Sequence, residues 1–214
     1  MRITKLFRGA LVPAALLGVL GLGPLPAVAG TVPQEGREYV RLATPVAGAA
    51  PREVVEVFWY NCRHSQQLEQ PLDDWAARQH PPVTVRRIPA AWPDRPDMMG
   101  YARLYYTLDA LGVAQRYALP VFHAVRDEQQ DLSTEPAVLR WARSAGLDPA
   151  KVQQAYESAE VQQETEDAPA LRDRYQVDEM PTVVVGGAFR TSPFESGGVP
   201  QTVDVLDYLY QQAG

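Results

Sequence analysis

The chain contains its single cysteine within the stretch Glu53-Val-Val-Glu-Val-Phe-Trp-Tyr-Asn-Cys-Arg-His-Ser65. Residues 54–60 are rich in β-branched and aromatic side chains, which favour a buried strand. Asn61 is a preferred helix N-cap residue, and the residues after Ser65 are typical of a helix. The stretch therefore predicts that Cys62 lies in the first turn of a helix that follows a central strand.

The start of a helix is a favourable place for a reactive thiol. Unpaired backbone N–H groups and the positive end of the helix dipole stabilise a thiolate, so we expect Cys62 to ionise readily. Arg63 adds a neighbouring cation, and His64 adds a group that carries charge near neutral pH. Ser65 lies three residues on and is expected to face the same side of the helix. The alternative is that Cys62 is a small, buried, apolar residue.

The first 29 residues have the three parts of a secretory signal peptide. Arg2, Lys5 and Arg8 precede an apolar run over residues 11–22, and Ala27-Val28-Ala29 fits a cleavage site between small residues. Pro13 interrupts the apolar run, which is also short for a permanent membrane helix. We therefore predict an exported protein whose signal peptide, residues 1–29, is cleaved after Ala29.

The composition argues against several classes of function. Cleavage would remove three of the 20 Lys and Arg and none of the 26 Asp and Glu, which takes the net charge from −6 to −9. A chain this acidic does not suggest nucleic-acid binding. One cysteine and three scattered histidines form no metal-ligand cluster. A single cysteine also makes no internal disulfide, so it is free, buried or used between molecules.

The rest of the chain predicts an alternation of strands and helices. Residues 39–42 and 83–88 favour strands, and a strand–helix–strand unit with a right-handed crossover makes the second strand parallel to the central one. Gly186-Gly187 predicts a hairpin between strands at 182–185 and 188–191. We expect a kink or restart at Pro71 and a break at Pro169. Beyond the Cys62 helix, helices are predicted at 98–111, 115–126, 135–145, 149–159, 161–175 and 202–212.

Two segments carry a resemblance to a known family. Phe58-Trp-Tyr-Asn-Cys-Arg-His-Ser65 and Met180-Pro-Thr-Val-Val-Val-Gly-Gly187, in this order of elements, resemble the DsbA family of periplasmic thiol–disulfide oxidoreductases. Leu108-Asp-Ala-Leu-Gly-Val113 and Leu119-Pro-Val-Phe-His-Ala124 are similar to family segments too. The resemblance implies an α/β, thioredoxin-like fold with an inserted helical domain. The thioredoxin-like part would comprise residues 30–96 and 160–214, the helical insertion residues 97–159, and the location would be the periplasm.

The resemblance also implies roles for individual residues. Cys62 matches the nucleophile, and Pro181 matches a proline that follows a cis bond and faces it. The backbone of Met180 would then pair with an extended substrate, as in strand addition. Residues that would contact this substrate are Trp59, Tyr60, Arg63, Met180 and Thr182.

Glu56 matches an acid that the family buries beneath the active site. A buried carboxylate without a partner is costly, so we expect Arg87 on the neighbouring strand to pair with it. The alternative for Glu56 is a solvated residue that faces an edge of the sheet.

The chain departs from the family at one position of the active site. The family motif is Cys-x-x-Cys, whereas this chain has Cys62-Arg63-His64-Ser65. Ser65 cannot resolve a mixed disulfide, although it is a candidate hydrogen-bond donor to the thiolate. Release therefore requires glutathione, another protein thiol or a second cysteine of the substrate. The missing cysteine also puts reoxidation by a membrane partner of the DsbB kind in doubt.

The sequence therefore predicts a thiol–disulfide oxidoreductase that uses one nucleophilic cysteine and forms mixed disulfides with unfolded or partly folded exported polypeptides. We expect no bound cofactor, with glutathione as a candidate thiol co-substrate and a periplasmic or membrane redox partner as a further candidate. One alternative is a polypeptide-holding protein with a groove lined by Trp59, Tyr60 and Phe194. Another is a glutathione-dependent transferase or isomerase, since some relatives of this fold keep a serine near the start of the same helix.

Overall fold

The computed structural model describes residues 32–213. The predicted signal peptide and its cleavage site lie outside the described residues. Residues Pro33–Gly214 form one compact unit.

A mixed five-stranded sheet forms the centre of the described part of the chain. Its strands run in the order β1–β5–β4–β2–β3, and β2 is parallel to β3 and antiparallel to β4. All five residues of β2 are buried, as expected for a central strand with both faces covered. The strands are β1 (Val40–Arg41), β2 (Val54–Phe58), β3 (Val85–Pro89), β4 (Thr182–Val185) and β5 (Phe189–Thr191).

Eight α-helices surround this sheet within residues 32–213. A single π-helical turn, His123–Asp127, follows the third of them directly. The helices are α1 (Arg63–Arg78), α2 (Pro96–Ala110), α3 (Ala114–Phe122), α4 (Glu135–Ser144), α5 (Pro149–Tyr156), α6 (Ala159–Arg174), α7 (Pro193–Ser196) and α8 (Val199–Gln212). The predicted order of strands and helices is confirmed, while α7 was not foreseen from the sequence.

Two cores cover the two faces of the sheet. On one face, α1 and α8 bury Leu68, Leu72 and Trp75 against the sheet, as the helical spacing of these residues predicts. On the other face, Ile88 and Tyr175 belong to a second core. A third core lies among α2 to α6 and takes in Phe58 and Tyr60 from the end of β2; its members include Tyr101, Leu104, Tyr105, Leu108, Val138 and Trp141.

Internal prolines affect the helices less than the sequence predicts. Pro71 lies inside α1 and Pro169 lies inside α6, and both helices continue through them. In α1, burial of the apolar face outweighs the one backbone hydrogen bond that a proline removes. Pro120 lies inside α3, which ends at Phe122, and the π turn begins at the next residue.

The inserted helices are closely joined to the sheet. Helix α6 packs against α2 and also against β3, so it contacts both parts of the molecule. The α/β, thioredoxin-like architecture with added helices is confirmed. The boundaries at residues 97 and 160 stay a prediction.

A substitution in α2 tests how closely this insertion is packed. A Cβ atom at Gly100 would overlap the backbone of Ser133. Helix propensity alone favours Gly100→Ala by about 1 kcal/mol. We expect the overlap to reverse the sign and to lower the free energy of unfolding by about 1–3 kcal/mol. Urea unfolding of the two proteins checks this, and a stabilised Gly100→Ala protein would contradict it.

Candidate active site

Cys62 lies at the N-cap of α1, one position before the first helical residue. Its φ and ψ are −108° and 124°, which are extended, and α1 begins at Arg63. The predictions that Asn61 is the cap and that Cys62 lies in the first turn are therefore wrong. Asn61 has a long-range partner instead: Arg126 Nη1 donates to Asn61 Oδ1 over 2.7 Å and to Asn61 O over 3.2 Å. The side chain that would cap the helix is already engaged.

The thiol of Cys62 is half-buried and faces the loop before β4. Its Sγ donates a hydrogen bond to Met180 O over 3.3 Å. The Met180–Pro181 peptide bond is cis. Val57 near the end of β2 pairs with Thr182 at the start of β4, so the chain segments beyond these two residues lie side by side. Sheet pairing therefore brings together two segments that are far apart in the sequence.

Ser65 lies beneath this site rather than beside its opening. Its side chain is 0% exposed, and its Oγ accepts a hydrogen bond from Trp59 N over 3.3 Å. The hydroxyl thus holds the end of β2 against the first turn of α1. Its own proton stays available for another acceptor.

Three side chains predicted to contact a substrate or tune the thiol are accessible. Arg63 is exposed, while Trp59 and His64 are partly buried. The His64 ring meets the ring of Phe194 edge-on, with centroids 5.2 Å apart. Phe194 is 62% exposed, so an open apolar surface adjoins the histidine of the active-site segment.

Two other residues predicted to contact a substrate, Tyr60 and Thr182, have side chains that are 1% exposed, so neither side chain is open to a substrate in this structure. Tyr60 turns into the core of the inserted helices and packs on Phe58 and Phe122, with ring centroids 4.9 and 5.0 Å apart. This burial raises the pKa of Tyr60 well above its ordinary value. The Thr182 hydroxyl donates to Glu179 O over 2.7 Å and holds the loop that precedes β4.

Glu56 and Arg87 face each other across the two parallel strands. They are paired in the register of β2 and β3, and Arg87 Nε lies 3.3 Å from Glu56 Oε2. Glu56 is 0% exposed, so the alternative of a solvated glutamate at an edge is wrong. The predicted pair of Glu56 and Arg87 is therefore present in the structure.

Two further acids, which the sequence analysis missed, share the same arginine. Arg87 Nη2 lies 3.0 Å from Glu69 Oε1 and 2.6 Å from Asp73 Oδ1. Gln115 of α3 accepts from Arg87 Nη1 over 2.9 Å and donates to Asp73 over 2.5 Å. The sequence did contain a signal for them. Glu69 and Asp73 are separated by four positions, so they lie on one face of α1. The cluster joins β2, β3, α1 and α3.

Three carboxyl groups around one cation favour a protonated Glu56. Burial, and after it the neighbouring Glu69, raises the pKa of Glu56 to about 8, although Arg87 acts to lower it. Burial likewise raises the pKa of Glu69. Arg87 directs its Nε hydrogen at Glu69 Oε2, and neither oxygen of Glu56 has a hydrogen-bond partner despite the short ion-pair distance. The neutral acid is therefore the stable form of Glu56 at neutral pH.

Other kinds of site find less support in the described residues. A cavity of about 670 Å³ lies between β3 and helices α2, α3 and α6; its lining includes Arg87 but not Cys62. Among residues 32–213, no group of three or more His, Cys, Asp or Glu side chains is arranged to hold a metal ion. Within the same range, no helix is both long and apolar enough to cross a bilayer.

The fold and this site define a thioredoxin-like protein with a helical insertion and a cysteine at the start of its first helix. The model of the DSBA-like thioredoxin domain matches residues 65–209, which is more than half of the chain and begins just after Cys62. The chain belongs to this family.

Similar proteins extend the match across the cysteine and over most of the chain. The thiol:disulfide interchange protein DsbA of Burkholderia cepacia is 32% identical over 203 residues, which are 93% of this chain and 95% of that protein. DsbA of Azotobacter vinelandii is 35% identical over 179 residues, 83% of each protein. The crystal structure of Pseudomonas aeruginosa DsbA has a TM-score of 0.76 at 30% identity and covers 84% of this chain and 93% of that one.

The chain is accordingly a DsbA-type thiol–disulfide oxidoreductase. Interchange of this kind needs a second molecule that carries a thiol or a disulfide. The chain itself has one cysteine, Cys62.

The buried acid gives a testable pH dependence of stability. Between the ordinary value of 4.5 and about 8, folded Glu56 keeps a proton that the unfolded chain has released. The free energy of unfolding therefore falls as pH rises through this window. Because Glu56→Gln cannot ionise, we expect it to reduce this slope, with Glu69 supplying the remainder, and to be more stable than the parent above this window by a few kcal/mol, at about 1.4 kcal/mol per unit of pKa shift.

Urea unfolding from about pH 5 to about pH 9 measures this slope. The matched control is Glu53→Gln, which removes a partly exposed carboxyl group just before β2, paired with Arg86 at 3.6 Å. The control should keep the slope of the parent. Parallel curves for the parent and Glu56→Gln would contradict a raised pKa.

Proposed function

We propose that the protein exchanges thiols and disulfides through Cys62 alone and forms mixed disulfides with exported polypeptides in the periplasm. The observation that carries the proposal is the position of the sulfur, half-buried at a helix N-cap and 3.3 Å from Met180 O. The periplasmic location is supported by the signal-like sequence of residues 1–29.

The first step is the release of the sulfur from Met180. In the reduced protein the thiol hydrogen binds the Met180 carbonyl oxygen. An extended polypeptide that pairs with this loop offers its own backbone N–H to the same oxygen. The thiol then loses its proton to water, and the thiolate attacks one sulfur of the substrate disulfide. One S–S bond forms, the other breaks, and the second substrate sulfur leaves as a thiolate.

The second step requires a thiol from outside the chain. Family members with two cysteines resolve the mixed disulfide internally, at a high effective concentration. Ser65 has no sulfur, so a second substrate cysteine, another protein thiol or glutathione must attack instead. Each of these attacks restores the Cys62 thiolate and leaves a disulfide in the product. No bound cofactor enters this cycle.

The residues on either side of the sulfur supply its contacts, from exposed Arg63 to the buried Pro181. Arg63 and His64 place positive charge or a hydrogen-bond donor near the thiolate. Met180 and Pro181 form the loop on which the substrate lies. Trp59 offers a partly exposed aromatic surface at the end of the strand.

One observation supports a second candidate function, the holding of polypeptides without exchange. Phe194 is largely exposed and meets His64, so an apolar surface for an extended chain adjoins the site. Peptide binding that persists unchanged in Cys62→Ala, together with no reaction of the parent with disulfides, would favour this function. A glutathione-dependent transferase or isomerase would instead require saturable glutathione binding and turnover of an electrophile.

Trapping the mixed disulfide tests the proposed function. Reduced protein is mixed with a peptide whose single cysteine is activated as a 2-thiopyridyl disulfide, so that neither the bound peptide nor the leaving thione attacks the adduct, then quenched with acid and analysed by intact mass. We expect a peptide adduct on Cys62 that lasts until glutathione is added, because the chain has no second thiol. Cys62→Ala should form no adduct. An inert parent thiol would contradict the proposal.

A second cysteine should change the fate of this intermediate. The side chain of Ser65 lies one helical turn from Cys62, and we expect the thiol in Ser65→Cys to attack the mixed disulfide and release the peptide. Release should be at least about 100-fold faster than in the parent, because the resolving thiol is intramolecular. The released protein then holds an internal disulfide. It is lighter than reduced Ser65→Cys by about two mass units, the mass of two hydrogens.

The matched control for that experiment is Ser65→Ala. It removes the hydroxyl without adding a sulfur, so its peptide adduct should last as long as that of the parent. Adducts of equal lifetime in Ser65→Cys and Ser65→Ala would show that position 65 is out of reach of the mixed disulfide.

A further inference from the structure

The π turn after α3 reaches the active-site segment at two points. Arg126 contacts Asn61, which directly precedes Cys62. Asp127 Oδ2 accepts from Gln66 Nε2 over 3.0 Å, and the Gln66 backbone N–H makes the first helical hydrogen bond to Cys62 O over 3.1 Å. The two contacts lie on either side of the cysteine in the sequence. Single π turns are often found at functional sites.

The contact with Arg126 decides which residue caps α1. Asparagine is among the preferred N-cap residues, since its side-chain oxygen accepts from the backbone N–H groups of the first turn. Here Asn61 Oδ1 accepts from Arg126 instead, at 2.7 Å, and Cys62 occupies the cap without a side-chain hydrogen bond. A charge-assisted hydrogen bond of this length is stronger than the neutral bond that capping would provide.

The position of the cap in turn decides where the sulfur points. With Cys62 extended at the N-cap, its Sγ reaches Met180 O at 3.3 Å. Capping by Asn61 would give Cys62 helical φ and ψ and would turn its side chain toward the preceding turn. Attack on a disulfide requires the three sulfur atoms to be in line, so the rate depends on this orientation.

We propose that Arg126 is a positioning residue for thiol–disulfide exchange, which acts by withholding Asn61 from the helix cap and so keeps Cys62 extended and aimed at the substrate loop. The proposal goes beyond the family assignment, because it concerns a pair formed by this chain's own Asn61 and Arg126. The proposal rests on the proposed exchange at Cys62, but it does not depend on which thiol releases the substrate from the mixed disulfide.

Single and double variants separate this role from a structural one. The rate of reduced protein with a peptide disulfide is compared with its rate with iodoacetamide, at pH values where the thiolate is fully formed. We expect Arg126→Ala to lower the disulfide rate about tenfold, because orientation is lost. The rate with iodoacetamide, a small reagent with little need for alignment, should change less than about twofold.

The double variant gives the sharper result. Asn61→Ala alone should have a small effect, because alanine cannot cap and Cys62 keeps its place. Asn61→Ala added to Arg126→Ala should therefore restore most of the lost disulfide rate, whereas independent effects would add. Arg126→Lys, which keeps a donor for Asn61, should lie between the parent and Arg126→Ala. The matched control is Arg140→Ala, which removes an exposed arginine from α4 and should not change either rate.

Several outcomes would overturn the proposal. A double variant as slow as Arg126→Ala would show that capping by Asn61 is not the cause. Equal losses with both reagents, or a shift of the pH profile with an unchanged upper rate, would show that Arg126 acts through its charge. Thermal unfolding shows whether Arg126→Ala folds. If it does not, the same comparison is made with Arg126→Lys and its double variant with Asn61→Ala.

Discussion

The antiparallel pairing of β2 with β4 brings the reactive elements together. Val57 lies opposite Thr182, so β2 ends where β4 begins. The chain that leaves β2 leads to Cys62, and the chain that enters β4 comes through Pro181. A shift of register by one residue would turn each side chain of the strand to the other face of the sheet. The contact between Cys62 Sγ and Met180 O, and with it the exchange chemistry, depends on this register.

The same central strand carries a group that opposes its burial. Glu56 stands in the middle of β2 with 0% exposure, where an ionised carboxylate without a good partner is costly. Arg87 is present, but it serves Glu69 and Asp73 as well. One cation cannot neutralise three anions, and the most buried acid is the one that keeps its proton. The cluster nevertheless ties together two strands and two helices.

The sequence predicted the parts of the fold that depend on local pattern. Strand composition, the Gly186-Gly187 hairpin and the apolar face of α1 were sufficient for the order of elements and much of the core. Features decided by distant contacts were missed or wrong. The Asn61 side chain is of a type that caps helices, but it accepts a hydrogen bond from Arg126, which lies 65 residues further along the chain. Tyr60 follows β2 in the active-site segment, but the inserted helices bury it. Pro71 does not interrupt α1, because packing of the helix outweighs the lost backbone hydrogen bond.

The burial of Ser65 explains why an outside thiol cannot attack along the path that a cysteine at position 65 would use. A resolving thiol at position 65 would attack from beneath the mixed disulfide, and Ser65 is 0% exposed, so an external thiol cannot approach from there. It must arrive from the open side, where His64, Phe194 and Met180 lie and where the bound polypeptide also lies. In the proposed cycle, the substrate and the resolving thiol therefore compete for the same space. The lifetime of the mixed disulfide is then set by how the polypeptide occupies this face, and a second cysteine on the polypeptide itself is the thiol with the readiest access.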